Sequence, residues 1–123
     1  MPPTEVIFYR EEDGRIPIFD WLDGLPERAR LKCLARLTRL EQLGHEPRRP
    51  EADYLRDGIY ELRASFQGVH YRMLYFFHKT QAVVVSHGLK KEREVPAVEI
   101  DRAVGRKRQF ERAPERHSFS GGR

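Results

Sequence analysis

The stretch that decides the fold is residues 60–78, YELRASFQGVHYRMLYFFH. Residues 60–66 alternate between apolar and polar side chains, which is the pattern of a β-strand with one buried face. A Gln-Gly pair then supplies a tight turn, and residues 69–78 are rich in apolar side chains on both faces, as in a central strand. A third β-favouring run, residues 82–90, follows a short polar turn. The stretch therefore predicts a three-stranded antiparallel meander.

The chain on either side of the meander predicts one more strand and three helices. Residues 6–9 favour a strand, Pro17 begins a short helix, and residues 26–43 form an amphipathic helix whose apolar face includes Cys33. Residues 46–57, with two prolines and three arginines, predict a loop. Pro96 begins a C-terminal helix that ends near residue 110.

These elements predict an α+β fold. Its small antiparallel sheet consists of one N-terminal strand plus the three-stranded meander, and it packs with two N-terminal helices and a C-terminal helix. We expect one domain over residues 1–113. The composition of residues 114–123, mainly Ser, Gly and Arg, predicts a disordered tail.

Composition narrows the class of protein. A chain of 123 residues suits a single domain, and it contains no apolar run long enough to span a membrane. Its N-terminus has neither the basic nor the apolar segment of a secretory signal. Cys33 is the one cysteine, so no intramolecular disulfide can form, and its place on the apolar face indicates a buried thiol rather than a nucleophile. We expect a cytoplasmic protein.

Charge is distributed unevenly. Lys and Arg number 23 against 19 Asp and Glu, and the acidic residues cluster early while the second half is basic. Arginine outnumbers lysine, and its guanidinium fork matches phosphate oxygens. A nucleic-acid partner is one interpretation, and an ordinary solvated face is the other. The chain has no metal-ligand spacing, nucleophile elbow, Walker loop or dinucleotide fingerprint.

A basic cluster on the predicted strands remains as the candidate site. Counted from the turn, Arg63 and Arg72 should be cross-strand neighbours on the face away from the apolar side chains. Two such cations repel each other unless an anion lies between them; the alternative is that Glu61 or another acid neutralises them. The remaining members, at the third strand and its end, are His87, Lys90 and Lys91.

Such a cluster suits cleavage of RNA without a metal ion. The ribose 2′-hydroxyl attacks its own phosphate, so one group must take its proton, another must stabilise the phosphorane charge, and a third must protonate the leaving 5′-oxygen. Arginine can stabilise charge, whereas lysine and histidine can exchange protons. His87 is the histidine of the cluster, although a structural hydrogen-bonding role beside the valine run is equally consistent with the sequence.

Four motifs follow one another along the chain: LRDGIYELR at residues 55–63, YRMLY at 71–75, HGLKK at 87–91 and PAVEIDRA at 96–103, preceded by FDWLD at 19–23. Over about residues 5–110 the chain resembles the HigB-like branch of the RelE superfamily, also described as phage-derived host-inhibition proteins. The resemblance implies the toxin of a type II toxin–antitoxin system that cleaves messenger RNA in the ribosomal A site. It implies a helix-turn-helix antitoxin, contact with operator DNA only through that antitoxin, no cofactor, no metal ion and no membrane.

The resemblance also implies roles by motif position. Arg72 matches the arginine held at the scissile phosphate, Arg63 matches a basic position on the preceding strand, and His87, Lys90 and Lys91 match the end of the last strand. Two departures concern the catalytic base: Leu89 stands where an aromatic residue is common, and residues 106–110 contain no tyrosine or histidine. Ribosomal RNA binding, or else solvation of the helix, is expected for Arg102, Arg106, Lys107 and Arg108.

Two other functions fit the same residues. A non-catalytic phage-derived inhibitor, or an RNA- or protein-binding module, would use the basic face without cutting. A nuclease acting on free RNA is the third possibility, but the chain lacks the clear acid–base pair that such an enzyme usually carries.

Overall fold

The computed structural model describes residues 4–43, 51–79, 82–90 and 93–120. The elements in chain order are β1 (Glu5–Tyr9), α1 (Pro17–Asp23), α2 (Glu27–Leu43), β2 (Ala52–Arg56), β3 (Ile59–Phe66), β4 (Val69–His78), β5 (Ala82–Lys90), α3 (Ala97–Arg112) and β6 (Ser118–Phe119). The strands form one sheet in the order β2-β3-β4-β5-β1-β6. The α+β fold class is therefore confirmed. None of the helices in these ranges is long and apolar enough to span a membrane.

The predicted meander forms the centre of the sheet. β3 pairs antiparallel with β4, and β4 pairs antiparallel with β5. The turn between β3 and β4 places Gln67 and Gly68 at φ of 51° and 78°, a left-handed conformation that matches the twist of a tight hairpin. This turn sets the register that brings polar side chains of β3 and β4 opposite each other.

The N-terminal strand differs from the expectation of a purely antiparallel sheet. β1 pairs with β5 in parallel, with Val6 opposite Val83 and Phe8 opposite Val85. Parallel neighbours need a long crossover connection, and here α1, α2 and the strands β2 to β4 supply it. β1 therefore lies within the sheet, between β5 and β6.

The prediction of a loop over residues 46–57 is wrong for residues 52–56, and residues 46–50 lie outside the described part. Ala52–Arg56 forms β2, an edge strand that pairs with β3 through Ala52–Leu62 and Tyr54–Tyr60. Asp57 and Gly58, at φ of 53° and 81°, make the connecting turn. The prolines and arginines of the segment indicate a loop, whereas the short strand forms because it pairs with β3 and not because of an apolar pattern of its own.

The tail is also more ordered than its composition predicts. His117 is buried, stacks on Tyr9 with ring centroids 5.1 Å apart, and donates from Nδ1 to the carbonyl oxygen of Arg10 at 2.8 Å. Phe119 then pairs with Phe8 as β6 continues the sheet. Disorder is therefore wrong for residues 114–120, because one buried imidazole and a free strand edge order a polar segment; residues 121–123 lie outside the described part.

Helices cover both faces of the sheet. α1 and α2 bury one face, where Cys33 is fully enclosed and burial raises the pKa of its thiol to about 11, as expected of a structural cysteine. The Trp21 ring of α1 rests on the bare backbone of Gly88 in β5, where a Cβ would overlap it. α3 covers the opposite face, with Phe110 packed against Phe76. The polar side chains of β3 and β4 lie on this α3 face.

Candidate functional site

Arg63 and Arg72 lie directly opposite each other on β3 and β4, so the predicted cross-strand pairing is confirmed. Both donate to the same oxygen, Oε1 of Glu61, with 2.7 Å between that oxygen and Nη1 of Arg72 and a short contact to Nε of Arg63. Glu61 is only 1% exposed. The acid that the sequence offered as an alternative to a bound anion therefore occupies the space between the arginines.

A second acid comes from the strand that the sequence did not reveal. Oδ2 of Asp53 on β2 lies 3.5 Å from Nη2 of Arg63. The two arginines thus face two carboxylates, and the group carries no surplus charge. What the arrangement provides is a pair of fixed guanidinium groups rather than a strongly positive pocket.

The two arginines differ in accessibility. The side chain of Arg63 is 32% exposed and that of Arg72 is 13% exposed. Nε of Arg72 is buried and has no hydrogen-bond partner among the described residues. An unpaired buried donor costs on the order of 1–3 kcal/mol, and such groups are candidates for a functional role.

His87 lies inside the protein at an irregularity of β5. Leu74 pairs with His87 and Tyr75 with Val85, so Ser86 is an extra residue and the strand bulges there. Nε2 of His87 donates to Oε1 of Glu99 in α3 at 3.2 Å, and the Ser86 hydroxyl donates to Nδ1 at 2.8 Å. The catalytic role of His87 stays a prediction, and this environment favours the structural alternative.

Electrostatics agree with that environment. Burial, reinforced by Arg106 and opposed by Glu99, lowers the pKa of His87 to about 4. The His87 side chain is 8% exposed and neutral at physiological pH, with both ring nitrogens engaged. It therefore connects β5 to α3 and has little access to a substrate.

A cleft of about 590 Å³ opens where the β3–β4 turn, the end of β5 and the segment before α3 meet. Lys90, the last residue of β5, is exposed at the edge of the cleft, whereas Lys91 lies outside the described residues. The lining residues are Gly68, Val69, His70, Lys90, Arg93, Glu94 and Pro96. Sequence reasoning missed His70 and Arg93 as site residues, although His70 shares the face of Arg72 by the two-residue period of a strand.

The basic residues predicted on α3 are not equivalent. Arg102 is 52% exposed and pairs with Glu99 at 2.8 Å, and Arg108 is exposed. Lys107 pairs with Glu111 one helical turn later at 3.0 Å. These three are available at the surface to different degrees.

Arg106 stands apart from the other basic residues of α3. It is 17% exposed and binds Glu11 at 2.9 Å. Its Nη1 donates to Oγ of Ser86 at 3.4 Å, and its guanidinium lies 5.5 Å from the centre of the Tyr9 ring. Arg106 therefore belongs to the same internal network as His87.

No group of three or more His, Cys, Asp or Glu side chains within the described ranges is placed to hold a metal ion. The chemistry that these residues can perform is electrostatic stabilisation by the two arginines, and proton exchange by groups that line the cleft.

Comparison with known proteins identifies a family. No curated protein matches the chain. A family model described as Phage derived protein Gp49-like (DUF891) matches residues 20–108, which run from α1 through the meander and the cleft into α3. Since the match covers most of the chain, this protein belongs to the phage-derived Gp49-like family.

Proposed function

We propose that this protein is the toxin of a type II toxin–antitoxin system and that it inhibits translation by cutting messenger RNA in the ribosomal A site. The observation that carries the proposal is the arginine pair on β3 and β4, held by a buried glutamate beside a cleft edged by Lys90. Membership of the Gp49-like family supports the phage-derived origin that the motif resemblance implies.

The arginine pair suits the charge that develops during cleavage. When the 2′-hydroxyl attacks, the phosphorane gains negative charge, and fixed donors stabilise it without first reorganising. Glu61 holds both guanidinium groups at one oxygen, so their positions are set before the substrate arrives. In this proposal Arg72 contacts the scissile phosphate, and Arg63 contacts the neighbouring RNA backbone. The reaction as proposed needs no metal ion.

The surface of α3 provides a second contact area. Arg102 and Arg108 are exposed there and would bind the backbone of ribosomal RNA, since arginine forms paired hydrogen bonds with phosphate. The cognate partner in this proposal is a helix-turn-helix antitoxin, and operator DNA is reached only through it.

The proposal is tested by inducing the wild type, Arg72→Ala and a control, Arg28→Ala, in a bacterial host. Arg28 is an exposed arginine of α2, and it does not line the cleft. We expect growth arrest with in-frame messenger RNA cuts, mapped as new 5′ ends, for the wild type and Arg28→Ala only. Growth arrest without cuts, or cuts that persist in Arg72→Ala, would contradict the proposal.

One observation favours a second function. Glu61 and Asp53 offset the charges of the arginine pair, so the pair itself attracts an anion less than two free cations would. A non-catalytic phage-derived inhibitor would use the same residues only to dock on a host factor. Growth arrest without RNA cleavage in the experiment above is the result that this function predicts.

A further inference from the structure

We propose that the cleft beside Arg72 holds the ribose-phosphate backbone of single-stranded RNA and that His70 accepts the proton of the attacking 2′-hydroxyl. The inference rests on the endonuclease function proposed above and assigns its base. None of the sequence motifs points to His70 as a catalytic residue.

His70 is exposed, and one of its two ring nitrogens is hydrogen-bonded. It lies at the start of β4, is exposed, and lines the cleft. Its cross-strand neighbour is Ser65, and Oγ of Ser65 is 2.9 Å from Nδ1 of His70. When Nδ1 donates to that hydroxyl, the lone pair is on Nε2, which has no hydrogen-bond partner within the described ranges. Ser65 is thus a positioning residue for a base that faces the cleft.

The other histidine of this region is a poor base. Both ring nitrogens of His87 are engaged, one with Ser86 and one with Glu99, and 6% of the residue is exposed. A proton acceptor must reach its substrate within hydrogen-bonding distance. On the α3 face of the meander, His70 meets that condition and His87 does not.

The cleft offers matching contacts for a nucleotide. Lys90 and Arg93 line it against one acid, Glu94, so the charged residues leave one surplus positive charge before His70 is counted. Val69, which is 38% exposed, and Pro96 add apolar surface against which a nucleobase would pack. A volume of about 590 Å³ lies within the range of small-molecule sites.

Arg72 and His70 are spaced to act on one phosphate. They are two residues apart on the same face of β4, which separates their Cα atoms by roughly 7 Å. A phosphate between them would receive hydrogen bonds from the guanidinium while its 2′-hydroxyl neighbour approaches the imidazole. The reacting group would then lie at the junction of the arginine pair and the cleft.

The step balances within these residues. Nε2 of His70 takes the proton of the 2′-hydroxyl as the O2′–P bond forms and the P–O5′ bond breaks. The leaving 5′-oxygen takes a proton from the ammonium group of Lys90. The products are a 2′,3′-cyclic phosphate and a 5′-hydroxyl, and the two side chains exchange protons with water to return to their starting states.

The test measures single-turnover cleavage of messenger RNA on programmed ribosomes by the full-length protein. His70→Gln is compared with His78→Gln, which removes a histidine from the other end of the same strand. The His78 ring packs against the Phe110 ring, with 4.9 Å between the ring centroids. At saturating ribosomes we expect His70→Gln to lower the rate about 100-fold and His78→Gln to leave it unchanged. Thermal melting of both variants checks that they fold.

The pH dependence separates proton transfer from binding. The wild-type rate should fall on acidification, because the imidazole must be neutral, and His70→Gln should lose that acidic limb. The charged groups around His70 are Arg72, Lys90, Arg93 and Glu94, and all of them remain in the variant.

Two results would overturn the inference. The first is a His70→Gln variant that cleaves at the wild-type rate. The second is a His70→Gln variant that loses ribosome affinity but keeps its rate at saturating ribosomes and the acidic limb of its pH profile. If the wild type itself makes no cuts, the endonuclease function fails and this inference fails with it. If the wild type cuts and His70→Gln cuts equally well, only the role of His70 fails.

Discussion

Nη1 of Arg72 donates to Oε1 of Glu61 at 2.7 Å, inside a part of the sheet where the glutamate is only 1% exposed. A buried carboxylate is costly unless its oxygens are well paired, and here one oxygen accepts from two arginines. The glutamate of the YELR motif is therefore what allows two cations to face each other across β3 and β4.

Replacing this carboxylate should destabilise the fold. Glu61→Gln removes the charge that offsets Arg63 and Arg72, and breaking a buried ion pair from one side costs about 3 kcal/mol or more. The free energy of unfolding in urea measures the loss. Glu41→Gln, at an exposed position of α2, is the matched control and should change stability by less than about 0.5 kcal/mol. Equal stability of the two variants would contradict a neutralising role for Glu61.

Two glycine substitutions should act in opposite directions. A Cβ at Gly88 would overlap the Trp21 ring, so Gly88→Ala should destabilise the protein by about 1–3 kcal/mol. At Gly105 in α3 a Cβ meets nothing within 4 Å, so Gly105→Ala should stabilise by about 0.5–1 kcal/mol through helix propensity. Urea unfolding of both variants checks the pair. A stable Gly88→Ala protein would mean that Trp21 does not rest on β5.

Much of the fold could be predicted from the sequence, because β3, β4 and β5 each carry a pattern that is sufficient by itself. β2 and β6 could not. Ala52 is ordered by its pairing with Leu62, and Phe119 by its pairing with Phe8. The parallel pairing of β1 likewise depends on which strand edge is left free once the meander has formed.

The candidate site, too, could be predicted only in part from the sequence. The pairing of Arg63 with Arg72 follows from counting residues outward from the turn, and Glu61 was a foreseeable neighbour. The sequence offered a structural role for His87 as an alternative, but its partners could not be predicted, since they require both the bulge at Ser86 and the docking of α3 through Glu99. Period-two counting places His70 on the same face as Arg72, but it could not reveal the cleft.

Two arginines of α3 should give different phenotypes. Arg108 is exposed, so Arg108→Gln should lower ribosome affinity and reduce the slope of log affinity against log salt concentration by about 0.7–0.9. Arg106 is held by Glu11 and Ser86, so Arg106→Gln should leave that slope unchanged and lower the free energy of unfolding by about 2 kcal/mol. Pelleting assays at several salt concentrations, with urea unfolding, check both. Identical salt slopes for the two variants would contradict the assignment.

Acidification should destabilise the protein through His87. Because burial lowers its pKa to about 4 in the folded protein, below the value of about 6.5 expected in an unfolded chain, the unfolded state binds the proton first. The stabilisation is complete above about pH 6.5 and is lost as the pH falls toward 4, by on the order of 3 kcal/mol.

The free energy of unfolding, measured in urea between pH 7.5 and 4.5, checks this dependence. His87→Gln keeps groups that can donate to Glu99 and accept from Ser86 but does not titrate, so its stability should decline less steeply below pH 6.5. His78→Gln serves as the matched histidine control, because its imidazole packs on the Phe110 ring and takes no part in the network of His87. If the wild type and His87→Gln gave parallel curves, His87 would have to be as easily protonated in the folded protein as in the unfolded chain. Its position between β5 and α3 would then stabilise the fold by packing alone.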